Sequence, residues 1–129
     1  MQTAPTTPTH RPIAVLAEDE PLIRFEAAMM LDELGFEVLE AHCASAALQH
    51  LEAHDGAALL YTDVDMPGRL DGFDLAHSVA KRWPDTAIIV CSGCMPKVTA
   101  CLPLSARFLG KPCAGEEIRE ALVKLRLHS

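Results

Sequence analysis

The sequence predicts an α/β fold: a doubly wound, five-stranded parallel sheet built from five βα units. Short apolar runs alternate with stretches of helical periodicity. Several of the runs are apolar at consecutive positions, as strands covered on both faces are. Three of them close on charged residues, Glu18-Asp19-Glu20, Asp63-Val64-Asp65 and Lys111-Pro112. Residues just past the carboxyl ends of parallel strands meet at one edge of the sheet, where α/β proteins build their sites.

Residues 13–17 form the first predicted strand. Pro21 fits the first turn of a helix, where its missing N–H costs nothing. Ile23, Ala27, Met30, Leu31 and Leu34 then recur at helical spacing until Gly35. Residues 36–40 are a second, shorter strand. Ala47, Leu48 and Leu51 mark a second helix with a cap near Ser45, and the apolar run 57–62 is a central strand. After a turn-rich connection, Asp71 is placed to cap a third helix carrying Leu75, Ala76, Val79, Ala80 and Trp83, which Pro84 ends. Residues 87–91 and 107–109 are the remaining strands. The stretch 92–104, with two prolines, two cysteines and a glycine, predicts a short or irregular fourth helix. Ile118, Ala121, Leu122 and Leu125 make the last one. Parallel strands require helical crossovers on both faces, so the expected topology is flavodoxin-like, with the site at the switch point of strand order.

The chain has 129 residues, enough for one domain with its own core. It is 50% hydrophobic and 22% charged, which sets it among globular rather than disordered chains. A net charge of −7 argues against direct DNA binding and against anionic membranes. No apolar span is long enough to cross a bilayer, and the Thr/Pro-rich residues 1–11 lack the apolar core of a signal peptide, so a flexible tail and a cytoplasmic protein are expected. The five cysteines are expected to be free, buried thiols. Cys91 and Cys94 have CxxC spacing, but no second pair or histidine pair completes a zinc site.

The acidic clusters carry the chemistry. Carboxylates gathered at one sheet edge repel each other, and a hard divalent cation with oxygen ligands, Mg²⁺, relieves that repulsion. A lysine beside them fits an anion that arrives later, and a phosphoryl group is the natural candidate. On the first helix, Leu22, Phe25 and Met29 form a second apolar stripe away from the buried face, of the kind that docks partners.

These residues resemble the receiver domains of bacterial two-component response regulators over roughly 12–127. The resemblance rests on Val15-Leu16-Ala17-Glu18-Asp19-Glu20-Pro21, Thr62-Asp63-Val64-Asp65-Met66-Pro67, Asp71-Gly72, Ser92-Gly93 and Phe108-Leu109-Gly110-Lys111-Pro112, in that order. It implies that Asp63 is the phosphoacceptor, that Asp19 binds Mg²⁺ directly and Glu18 through water, and that the Asp65 backbone carbonyl is a further ligand. It also implies that Lys111 pairs with the bound phosphoryl group, that Ser92 moves to hydrogen-bond it, and that Phe108 is the aromatic switch. Phe108 lacks the phenol of many relatives, so its switching would be steric.

The expectation is a stand-alone receiver over 12–129 that takes its phosphoryl group from a histidine kinase or histidine-phosphotransfer protein docked on the Leu22/Phe25/Met29 stripe. Its output would pass through an unknown partner, and its role would be signalling rather than metabolic catalysis. Three departures stand out: a loop 66–72 one residue longer than usual, Gly93 where alanine is common, and the broken stretch 93–104. The rival reading is a haloacid-dehalogenase-like phosphatase, with Asp63 as nucleophile and Asp65 as general acid. That motif normally lies on the first strand and leaves Glu18 and Asp19 unexplained.

Overall fold

The computed structural model describes residues 11–64, 66, 68, 70–92, 106–110 and 115–127. Its strands are β1 (Ile13–Ala17), β2 (Glu37–Ala41), β3 (Leu59–Asp63), β4 (Ala87–Ser92) and β5 (Ala106–Gly110). The helices among the described residues are α1 (Pro21–Glu33), α2 (Ala44–Ala53), α3 (Gly72–Arg82) and α4 (Gly115–Leu127). The sheet is wholly parallel in the order β2-β1-β3-β4-β5, the doubly wound arrangement expected. The strand order reverses between β1 and β3, so those two strand ends flank the switch point. The short or irregular helix expected between β4 and β5 lies outside the described residues.

Alternation along the strands divides the core into two layers. Val15, Ala17, Leu60, Ile88 and Val90 face α2 and α3, meeting Ala47, Leu51, Leu75 and Val79. Ala14, Leu16, Leu59, Tyr61, Ile89 and Cys91 face α1 and α4, meeting Ala27, Leu31, Ile118 and Ala121. Residues such as Leu16, Leu51, Leu59, Leu60 and Ile88 are fully enclosed. Each enclosed aliphatic side chain stabilises the fold by about 1.5–3 kcal/mol relative to an exposed one. A rigid sheet therefore carries the loops at its carboxyl edge.

Several expectations need correction. β2 begins one residue late, because Phe36 turns into the α1/α4 layer instead of pairing, and Ala41 extends the ladder opposite Ala17. α2 starts at Ala44, with Cys43 at its cap and no side-chain capping bond, rather than near Ser45. β3 starts later, at Leu59, because Ala57 is engaged by the Thr86 hydroxyl, which donates to its carbonyl at 2.7 Å. It also runs one residue further, so Asp63 is the last residue of the strand rather than the first beyond it. Cys91 is buried as expected but Cys43 is only half-buried; Cys94, Cys101 and Cys113 lie outside the described residues.

Ile23 was expected on the buried face of α1 and is 39% exposed. α1 begins only four residues after β1 ends. Its first turn is thus level with the strand ends, beyond the sheet, and the buried positions start one turn later at Ala27 and Leu31. Asp71 caps α3 as expected: its Oδ1 accepts from the Asp74 N–H at 2.9 Å, and Asp74 Oδ2 accepts from the Asp71 N–H at 3.2 Å, a reciprocal capping box.

Candidate functional site

Register determines what meets at the carboxyl edge. Ala17 is opposite Ala41 on β2 and Thr62 on β3, so Glu18, Asp19 and Asp63 leave neighbouring strands at the same level. Further along, Asp63 is opposite Cys91, and Ser92 is opposite Gly110. The ends of β1, β3, β4 and β5 therefore share one edge.

Glu18, Asp19 and Asp63 each offer a carboxylate oxygen within 4.8 Å of the others. Glu18 and Asp63 are buried, at 3% and 6% exposure, while Asp19 is exposed. Two ionised carboxylates at that separation repel by roughly 3 kcal/mol at an effective dielectric of 20. A small hard cation holds its oxygens at about 2.0–2.1 Å in an octahedron, so its ligands lie some 3–4 Å apart. The donor set is all oxygen, anionic and of the right span for Mg²⁺ held by some carboxylates directly and by others through water. These residues fit the ion that the sequence implies.

Each carboxylate is positioned by its backbone. The Glu18 N–H donates to the Ala41 carbonyl at 3.0 Å, carrying the β1–β2 ladder one residue past the strand. Its Oε2 accepts from the Glu20 N–H at 3.0 Å, which tightens the turn into α1. Glu20 serves as the N-cap of α1, accepting from the Leu22 N–H at 3.4 Å. The capping role that acids favour at helix starts thus falls to Glu20, and Asp19 is left for the cluster. On the other strand, the Val64 N–H donates to the Cys91 carbonyl at 2.9 Å, fixing the backbone just after Asp63 against β4.

Two residues to which the sequence reading gave no role help to build this site. The Gly72 N–H donates to the Val64 carbonyl at 2.9 Å, drawing the start of α3 onto the end of β3. A Cβ at Gly72 would collide with the Asp63 carbonyl and come within 2.8 Å of the Val64 Cα. Only glycine permits that approach, and the Asp71-Gly72 pair was the signal. The other is Arg24, half-buried on α1, whose Nη1 donates to the Glu18 carbonyl at 3.0 Å. A lone arginine on a helix gave no signal.

Among the other expected site residues, Phe108 is half-buried against the α2/α3 layer. Ser92 ends β4 at the shared edge, though its side chain is outside the described set. Lys111 and Asp65 also lie outside the described residues; Lys111 follows Gly110, the last residue of β5. Leu22, Phe25 and Met29 are 67%, 60% and 53% exposed.

Residues 14–123 match the family described as the response regulator receiver domain. The chain belongs to that family. The receiver is 39% identical over 84 residues to the transcriptional regulatory protein PdtaR of Mycobacterium tuberculosis, a match covering 62% of this chain and 40% of that protein's length. It superposes on a response regulator receiver protein from Sinorhizobium medicae with a TM-score of 0.79 at 22% identity, covering 88% of this chain and 92% of that one. On the receiver domain of the hybrid histidine kinase CckA the TM-score is 0.73 at 29% identity, covering 88% and 97%.

A receiver of a two-component system is a signalling domain, and its acidic cluster is present here. Membership favours the receiver reading of Asp63-Val64-Asp65 over the phosphatase one, and Glu18 and Asp19, which the phosphatase reading could not place, lie beside Asp63 in the acidic cluster. No helix among the described residues is long and apolar enough to cross a membrane.

Proposed function

We propose that Asp63 accepts a phosphoryl group from a phosphohistidine, with Mg²⁺ held by Asp19 and Asp63 directly, by Glu18 through water and by the Asp65 carbonyl. The observation that carries this reading is the convergence of Glu18, Asp19 and Asp63 within 4.8 Å at the switch point. A bound cation would offset the repulsion between a carboxylate nucleophile and a phosphoryl group. The protein's part is positioning. β3, held by β1 and β4, points its last residue at the edge, and Glu18 and Asp19 converge on it from β1. An Asp63 oxygen attacks phosphorus, the bond to the histidine nitrogen breaks, and the imidazole leaves with that electron pair. Lys111 would pair with the new phosphoryl oxygens, Ser92 would hydrogen-bond them, and Phe108 would follow Ser92 by packing. Contacts made only in the phosphorylated state bias a two-state surface, and that surface is the signal.

The donor must approach the edge where α1 begins, and Leu22, Phe25 and Met29 lie there, exposed. A histidine kinase or histidine-phosphotransfer helix presenting its phosphohistidine would cover this stripe. Intact-mass measurement after incubation with a small phosphodonor tests the central step. One phosphoryl group per chain is expected with Mg²⁺ and none with Asp63→Asn. Continuous turnover of a generic phosphomonoester, without a stoichiometric adduct, would contradict it.

A further inference from the structure

Arg24 is tied to the turn that follows β1 and carries Glu18 and Asp19. Its guanidinium works in two directions. Nη1 donates to the Glu18 carbonyl at 3.0 Å, and Nε donates to Glu40 Oε1 at 3.3 Å. Glu40 lies on β2 opposite Leu16 of β1. Its own carbonyl is bonded to the His50 Nε2 of α2 at 2.9 Å, so the anchor is itself anchored. Arg24 is 23% exposed in its side chain and Glu40 49%. The fork spans from α1 to the ends of β1 and β2. The Glu18 N–H and Oε2 are already engaged by Ala41 and Glu20. Arg24 fastens the carbonyl, the group that leads directly into Asp19.

We propose that Arg24, anchored by Glu40, is a positioning residue for the cation site: by holding the Glu18 carbonyl it fixes the turn carrying Glu18 and Asp19 and so sets the affinity for Mg²⁺. The proposal rests on the reading that this acidic cluster binds Mg²⁺. Partners one step removed from a metal commonly change its affinity by about 10–100-fold when lost. Sign separates position from charge. A cation near a cation site opposes binding, so Arg24 acting only as a charge would weaken Mg²⁺ affinity, and its removal would strengthen it. Arg24 acting by position strengthens affinity, and its removal weakens it. Lysine keeps the charge but offers one ammonium instead of a planar fork with separated donors.

Calorimetric titration of Mg²⁺ into the unphosphorylated protein reads this without recourse to activity. Arg24→Lys and Arg24→Ala are both expected to weaken binding by about ten-fold, or about 1.4 kcal/mol. Glu40→Ala, at an exposed position that leaves the core intact, is expected to weaken it about three-fold, or about 0.7 kcal/mol. Glu40→Gln, which keeps an acceptor oxygen for the Arg24 Nε but no charge, is expected to retain most of the wild-type affinity. Wild-type affinity in Arg24→Lys, or tighter binding in Arg24→Ala, would overturn the proposal. So would a Glu40→Gln loss as large as that of Glu40→Ala, the outcome that decides if the Arg24 variants do not fold. A wild type that binds no Mg²⁺ would sink the underlying site reading instead, and is told apart by the first titration.

Discussion

Gly72 shows how one atom governs the site. A glycine-to-alanine change at a helix start with ordinary backbone angles usually stabilises a protein, by about 0.4–1 kcal/mol, through the unfolded chain. Here the added methyl meets the backbone of Asp63 and Val64, and forcing atoms into a filled space costs about 1–3 kcal/mol. Gly72→Ala is therefore expected to lower the denaturant midpoint, a reversal of sign that unfolding curves detect directly, and to slow phosphorylation by displacing Asp63. Cys43 gives a second prediction. A hydrogen bond with the Ser45 hydroxyl, then one with the Ala46 backbone, holds its thiol below the ordinary value. Because the fold favours the thiolate, this contribution to stability is present above the unfolded thiol's pKa and fades as pH falls through the folded one. Alkylation of the Cys43 peptide should reach half its maximal rate at a lower pH than in Ser45→Ala; equal profiles would remove the hydrogen bond as the cause. At this scale the charged residues were legible because they break apolar runs. Gly72 was signalled only by its pairing with Asp71, and Arg24 not at all, since its importance lies in a backbone contact that no spacing reveals.

Helix α1 is the element in which sequence and structure differ most instructively. Its apolar residues surround the helix almost completely, so periodicity alone could not tell which end would be covered. Ala27 and Leu31 are buried as the spacing indicates, and Leu22, Phe25 and Met29 are exposed as expected. Ile23 joins the exposed group because the sheet ends beneath the first turn. The apolar surface beside the acidic edge is thus larger than the predicted stripe. Phe25→Ala should lower the rate of transfer from a phosphorylated histidine partner at least several-fold while leaving labelling by a small phosphodonor unchanged. Equal loss in both reactions would mean that Phe25 supports the site rather than the docking. Strand boundaries missed by one or two residues for a related reason. Phe36 and Ala57 have the apolar character of strand residues, but packing and the Thr86 hydroxyl claim them first.

For the molecule as a whole, strand order was legible because three apolar runs end in charge, and only a sheet wound from its middle brings those ends together. The register adds what sequence could not: Glu18 and Asp63 are both buried, and their oxygens lie within 4.8 Å. The fold holds this repulsion in place with ladder bonds on either side, from Glu18 to Ala41 and from Val64 to Cys91. A structure arranged this way is less stable without a cation than it could be. Binding at about a hundred times the dissociation constant adds about 2.7 kcal/mol, enough to raise the melting temperature by roughly 10 °C in a chain of this size.

Thermal unfolding of the wild type and Asp63→Asn, each with and without Mg²⁺, tests that crowding most directly. The metal-free melting temperature should be higher for Asp63→Asn than for the wild type, and Mg²⁺ should raise the wild type more than the variant. A metal-free midpoint lower in Asp63→Asn, with no rise of the wild type in Mg²⁺, would show that these carboxylates are not waiting for a cation.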